Sequence, residues 1–233
     1  ADADFSAFAS QPIALGAIGG TLALMQEQGC THLVMAGKVV RPSLAALKPD
    51  ACAVKLLGKA IMRGDDSLLR LISVFFATNG IETVAPEGFM PDRLAPVGLL
   101  AGTTPDTAQD KDIALARRVL AALGGLDVGQ AVVVQAGRVL AIEAAEGTNE
   151  MLRRASGLVD AGESPAVMVK MPKSGQDMKL DMPVIGAVTI ESAADAGIGV
   201  IAVQAGGVLF SEAASVVGEA AEALGVQRPR CRA

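Results

Sequence analysis

An α/β fold in two domains follows from three features of the sequence. Over residues 1–100, strand-like and helix-like stretches alternate, which implies an open, largely parallel sheet layered with helices. Over residues 101–233, a strand, a glycine-containing turn and a second strand occur twice, each time ahead of a helical stretch, which predicts a mixed sheet with hairpins and helices. Between the two, residues 98–107 carry neither periodicity and mark the crossing between domains.

In the first domain, residues 19–28 have helical spacing, with Leu22 and Met25 on one side, and Gly29 stops them. Leu33-Val-Met-Ala36 reads as a short buried strand. Gly37-Lys-Val-Val-Arg-Pro42 follows it, placing Lys38 and Arg41 just beyond a strand end. That position suits a ligand loop at the carboxyl edge of a parallel sheet, and equally an ordinary surface turn. Residues 53–62 form the next helix, ended by Gly64. Asp65 or Asp66 then caps a further helix, whose apolar side is Leu68, Leu69, Ile72, Phe75 and Phe76 and whose stop is Gly80. Ile81-Glu-Thr-Val-Ala85 is a strand, and residues 86–96 are an irregular connection.

In the second domain, Thr104-Pro105-Asp106 starts a helix, with the proline preorganised for its first turn. The helix runs to about Leu123 and stops at Gly124 and Gly125; Asp110 and Asp112 on its first turns suit the helix dipole. Residues 133–145 and 201–214 are the two related strand–turn–strand segments, each read as a hairpin. Helices follow at 149–156 and 212–224, and a short helix lies at 192–197. Gly147 and Thr148 stand where a helix begins. Their amides can face an anion there, and Thr148 can as readily be a plain N-cap.

Composition removes several classes of function. The chain has 233 residues, is 51% hydrophobic and carries a net charge of −5 with both signs interspersed, so it shows no electrostatic footprint for nucleic acid. No apolar run reaches the roughly 18 residues of a membrane span. Cys30, Cys52 and Cys231 are odd in number and lack metal-ligand spacing, which reads as reduced thiols in a cytoplasmic protein. His32 is the sole histidine and reads as part of the structure, which argues against Ser-His-Asp hydrolysis and histidine metal cages.

The densest polar stretch is Lys170-Met-Pro-Lys-Ser-Gly-Gln-Asp-Met-Lys-Leu-Asp181, held between the strand-like runs 166–169 and 184–188. Pro172 and Pro183 forbid a continuous helix across it. Lys170, Lys173 and Lys179 can hold phosphate oxygens, and a carboxylate such as Asp181 can hold Mg²⁺ or orient a water. The same charges suit a solvated connection between layers, and the spacing does not choose between the two.

Six segments, in order and spacing, carry a resemblance. They are Asp4-Phe-Ser-Ala-Phe8, Ala36-Gly-Lys-Val-Val-Arg-Pro42, Gly64-Asp-Asp-Ser-Leu-Leu69, Leu126-Asp-Val-Gly-Gln130, Glu143-Ala-Ala-Glu-Gly-Thr148 with Met151-Leu-Arg-Arg154, and Asp181-Met-Pro-Val-Ile-Gly-Ala-Val-Thr-Ile190. Together they resemble the UDP-2,3-diacylglucosamine pyrophosphatases of lipid A biosynthesis, the LpxI type, over nearly the whole chain. The resemblance implies Mg²⁺-dependent hydrolysis of that lipid-linked sugar nucleotide to 2,3-diacylglucosamine 1-phosphate (lipid X) and UMP. It implies two α/β domains with the ligand between them, a homodimer, and a cytoplasmic protein in peripheral contact with the inner face of the inner membrane. It leaves open a non-catalytic sugar-nucleotide or phospholipid binding protein of the same fold.

Carried over by position, Asp181 matches the family's essential aspartate, with a role in metal binding or water activation, and Lys173 is catalytic beside it. Lys38, Arg41, Gly147, Thr148, Lys170, Gln176 and Lys179 are the substrate-binding candidates, and Asn149 joins Asp181 as a metal candidate. Lys173 and Gln176 match a Lys-Pro-x-Gln region in which Ser174 replaces the usual proline. Asn149 stands where the family has aspartate, and Lys38 where it often has asparagine. A first strand and a Gly-rich turn of the form Leu-Ile-Ala-Gly-Gly-Gly, expected some tens of residues upstream, are not seen before Ala1.

Overall fold

A computed structural model of the chain describes residues 6–37, 48–61, 66–213, 217, 218 and 221. Two compact units are present, Ala1–Ala85 and Pro86–Ala233. Both are α/β, the first with a parallel strand pair and the second with a mixed sheet.

In the first unit, α1 (Ile18–Glu27), β1 (His32–Leu33), α2 (Ala51–Ile61), α3 (Asp66–Thr78) and β2 (Glu82–Thr83) follow one another. β1 and β2 pair in parallel, as strand–helix alternation requires. The strand expected at 33–36 is shorter than its apolar run and is not buried: His32 is exposed and Leu33 half-buried. One carboxylate organises two helix starts. Asp50 accepts from the Gly19 amide at 2.6 Å and the Gly20 amide at 3.2 Å on α1, and from the Ala53 amide at 2.8 Å on α2. Each bond satisfies a first-turn amide that has no acceptor within its own helix. Lys38 and Arg41, the candidate loop residues, lie outside the described residues, as do Asp65 and most of the helix expected at 212–224.

The second unit is built on a four-stranded sheet in the order β4–β3–β5–β7, from β3 (Ala131–Gln135), β4 (Arg138–Ile142), β5 (Ala166–Lys170) and β7 (Ile198–Val203). β3 runs antiparallel to both β4 and β5, and β5 runs parallel to β7. So β4, β5 and β7 end at one edge, where β3 begins. Every residue of β3 and of β5 is buried, and alternate residues face opposite layers. Val132, Val134, Val167, Val169, Val200 and Ala202 pack beneath Ala116 and Leu120 of α4 (Thr107–Gly124). Ala131, Val133, Met168 and Ile201 meet Met151 and Leu152 of α5 (Thr148–Ala155) and Ile190 and Ala193 of α6 (Ala187–Asp195). The result is three layers, helix on sheet on helix.

Several local expectations change. α4 starts at Thr107, not on Pro105. Asp106 is its cap, accepting from the Gln109 amide at 2.8 Å while the Gln109 side chain accepts from the Asp106 amide at 2.9 Å. Asp112 is buried and holds the Gly137 amide at 2.8 Å, a structural role. The run 184–188 is not one strand: β6 (Val184–Ile185) ends at Gly186, which caps α6, and that helix begins five residues before the expected 192.

Of the two expected hairpins, only the first forms. Between β3 and β4 the turn is Ala136-Gly137, with φ of 49° and 75°, the paired positive values that a tight two-residue hairpin turn needs. After β7 the chain instead diverges. The Gly206 amide donates to the Ala95 carbonyl, the Ala95 amide donates to the Val208 carbonyl, and β8 (Leu209–Phe210) pairs in parallel with β6. The similar residues at 201–214 thus feed two different sheets.

Candidate active site

The polar residues of interest gather where β4, β5 and β7 end. Register explains this. Lys170 closes β5 directly across from Ala131, the first residue of β3, and the Glu143 amide donates to the Ala131 carbonyl at 2.9 Å from the other side. Glu143, Ala131 and Lys170 therefore form a row across three strands, and residues in such a row point to the same face. Ala131 brings only a methyl group. Thr148, at the start of α5 on that face, bridges the two charged neighbours. The Lys170 ammonium donates to Thr148 Oγ1 at 2.7 Å, and the Thr148 hydroxyl donates to Glu143 Oε1 at 2.8 Å. Glu143 Oε2 accepts from the Gln130 amide at 3.2 Å.

This line of groups is nearly dry: Lys170 is 6% exposed, Thr148 8% and Glu143 9%. Burial pushes the Lys170 ammonium below the usual lysine range, and the charges of Glu143 and Asp181 pull it partly back. Lys170 was expected in a polar loop but is the last residue of a buried strand. Two of its three ammonium protons have no acceptor among the described residues.

A second line runs through Gln176. Its side-chain oxygen accepts from Gln130 Nε2 at 2.9 Å and from the Lys173 amide at 2.8 Å. Its Nε2 donates at 2.9 Å both to the Asp181 carbonyl and to Asp181 Oδ2. Two acceptor sites and two donors are thereby in use within the protein, which leaves Gln176 holding Asp181 rather than reaching a ligand. Asp181 itself is exposed, and its second carboxylate oxygen has no hydrogen-bond partner among the described residues. The segment carrying it is braced from below, since a Cβ at Gly124 on α4 would come within 2.7 Å of the Ser174 amide nitrogen.

The remaining candidates are placed as follows. The Lys173 ammonium pairs with Asp127, while its backbone amide serves Gln176. The Gly147 amide donates to the Ala144 carbonyl at 3.3 Å, so it is not an open anion donor, and Gly147 rather than Thr148 is the N-cap of α5. Asn149 is exposed on the first turn of α5, where its side-chain oxygen accepts from the Thr189 hydroxyl at 3.2 Å. The Lys179 amide donates to Asp177 Oδ1 at 3.1 Å. Sequence reasoning left out three site residues: Glu143, Gln130 and Asp127. All three lie inside the matched segments 126–130 and 143–148, and a glutamate just past a buried strand is the one local signal that marks Glu143.

Among the described residues, no three Asp, Glu, His or Cys side chains converge as a metal cage. Mg²⁺ does not need one, because it is commonly bound through one or two carboxylates with water and substrate phosphates completing its shell. The free oxygen of Asp181 fits that mode.

Fold and site together define an α/β protein with a buried ammonium and an exposed carboxylate at the carboxyl edge of its parallel strands, the usual ligand position in open α/β sheets. The sequence pattern of the LpxI N-terminal domain matches residues 1–93, and that of the LpxI C-terminal domain matches residues 96–226. The UDP-2,3-diacylglucosamine pyrophosphatase LpxI of Caulobacter vibrioides is 36% identical over 234 residues, covering 97% of this chain and 83% of that protein. The chain belongs to the LpxI family.

Proposed function

We propose that this chain hydrolyses the pyrophosphate bond of UDP-2,3-diacylglucosamine, giving 2,3-diacylglucosamine 1-phosphate and UMP, as a Mg²⁺-dependent step of lipid A biosynthesis. The observation that carries the chemistry is the buried Lys170 ammonium, two of whose protons have no acceptor among the described residues, within electrostatic reach of the exposed carboxylate of Asp181. A buried ammonium that lacks acceptors is complementary to an anionic oxygen, and a diphosphate supplies several.

Water adds to one phosphorus, the bond from that phosphorus to the bridging oxygen breaks, and the two protons of the water end on, or are released from, the two phosphate monoesters formed. Negative charge on the phosphoryl oxygens and the leaving phosphate is met by Lys170 from a site that excludes water, where such a donor acts most strongly. Asp181 would hold Mg²⁺, which when bound neutralises phosphate charge and polarises phosphorus. Gln176, fixed by Gln130, holds the Asp181 carboxylate in place. The Lys173 ammonium is already paired with Asp127, which offsets part of its charge toward a phosphate. The family resemblance supports a homodimer working at the inner face of the inner membrane, where the lipid-linked substrate resides. Among the described residues no helix is long and apolar enough to cross the membrane, which fits peripheral contact.

The test is to incubate the purified chain with UDP-2,3-diacylglucosamine with and without Mg²⁺ and to follow both products by mass spectrometry. UMP and the diacylated sugar phosphate should appear only with the metal, and Lys170→Met should remove the activity. Binding of intact substrate with no UMP release under any metal condition would replace the enzyme reading with that of a binding protein.

A further inference from the structure

The reaction above uses Lys170 but gives no part to Glu143, a carboxylate that is 9% exposed. We propose that Glu143 is a positioning residue which, through the Thr148 hydroxyl, aims the Lys170 ammonium at the diphosphate. The proposal rests on the reading of Lys170 as the phosphate-holding group.

The argument is one of proton counting. An ammonium can only donate, so in the 2.7 Å bond between Lys170 and Thr148 the threonine oxygen is the acceptor. A hydroxyl has one proton, and here it lies on the 2.8 Å bond to Glu143 Oε1. Glu143 cannot turn away. Its other oxygen is held by the Gln130 amide at 3.2 Å, and its own amide is tied to the Ala131 carbonyl at 2.9 Å. Gly129 closes the space further, since a Cβ there would lie 2.9 Å from the Glu143 carbonyl carbon. The line is therefore polarised in one direction, from ammonium to hydroxyl to carboxylate.

Two consequences follow. The Thr148 hydroxyl has no proton left for a ligand, so that hydroxyl links rather than touches the substrate. One ammonium proton of Lys170 is fixed on Thr148, which sets the direction of the two that remain. An ion pair serving stability alone would need the charges of Glu143 and Lys170 but not a threonine hydroxyl ordered between them.

Steady-state UMP release should be measured, with thermal melts, for Thr148→Val, Thr148→Ser, Glu143→Gln and the double variant Thr148→Val/Glu143→Gln. Thr148→Val keeps both charges and should lower kcat/KM roughly tenfold to a hundredfold, the usual effect of losing a hydrogen bond to a charged group. Thr148→Ser should restore most of that loss, because serine keeps the hydroxyl. Glu143→Gln should match Thr148→Val, and the double variant should be no worse than the poorer single one, since both break the same link. Losses that multiply in the double variant would mean that Thr148 touches the substrate independently of Glu143, and the proposal fails. It fails equally if Thr148→Val retains full kcat/KM while Lys170→Met is inactive. An active Lys170→Met enzyme would instead overturn the underlying reading of Lys170. Should Glu143→Gln not fold, the comparison of Thr148→Val with Thr148→Ser decides alone.

Discussion

Replacing Gly129 by alanine tests how the site is held together. Gly129 has φ of +62°, and its added Cβ would strike the backbone carbonyl group of Glu143, which cannot rotate aside as a side chain could. The left-handed backbone alone costs about 1–2 kcal/mol for a residue with a Cβ. Forcing an extra carbon into a packed contact adds about 1–3 kcal/mol. The expected loss is therefore roughly 2–5 kcal/mol. At about 2–4 °C per kcal/mol, the second unit should melt about 4–20 °C lower. Gly137→Ala is the control: its φ is +75° and nothing lies within 4 Å of the new Cβ, so it carries the backbone cost without the collision. Calorimetry of both variants isolates the collision as the difference between them. Turnover should fall in Gly129→Ala at temperatures where it is still folded, because Gln130 and Glu143 are displaced together, and should hold in Gly137→Ala. Equal melting temperatures for the two variants would show that the chain relaxes around position 129, and the account of a rigid strand edge would be wrong.

Asp181→Asn alters an exposed group, so urea unfolding should change by less than about 0.5 kcal/mol while UMP release drops roughly a hundredfold to a thousandfold. Lys173→Met should reduce turnover less than Lys170→Met, since its ammonium already has a protein partner in Asp127; the ratio of the two kcat/KM values checks this. Lys170 titrates below the usual lysine value near 10.5, so across the window between its lowered value and 10.5 the unfolded chain binds more protons than the folded one. Wild-type stability relative to Lys170→Met should accordingly rise with pH through that window and stay flat below it, as read from urea melts between neutral and alkaline pH. Chelation of Mg²⁺ should stop turnover and leave the melting temperature of the substrate-free protein unchanged, because no described cluster of carboxylates depends on the metal for charge balance.

Much of this fold could be read from residue order alone. The two-glycine stop after Leu123, the buried valines of β3 and the turn at Ala136-Gly137 are local signals, and they define α4 and the β3–β4 hairpin. The divergence of β7 from β8 was not legible. It depends on Ala95 and Pro183 competing for the backbone of residues 206–209 from far along the chain. The site divides in the same way. Asp181 and Lys170 stood out as the two ends of the densest polar stretch, between two apolar runs. Glu143 and Gln130 did not, because they reach Lys170 and Gln176 only once β3 has chosen β5 as its neighbour, a register that no single segment specifies. The overlooked pairing of Lys173 with Asp127 likewise joins two loops separated by 46 positions.

Ala131 stands between Lys170 and Glu143 in the row that crosses the strand edge. On either side of it a glutamate and a lysine are joined through a threonine hydroxyl. A larger side chain at this fully buried position would press on Met151 and Leu152 of the threonine's helix, which share its cluster. Residue 131 is thus a position from which the surroundings of the ammonium could be graded without altering a single charged group.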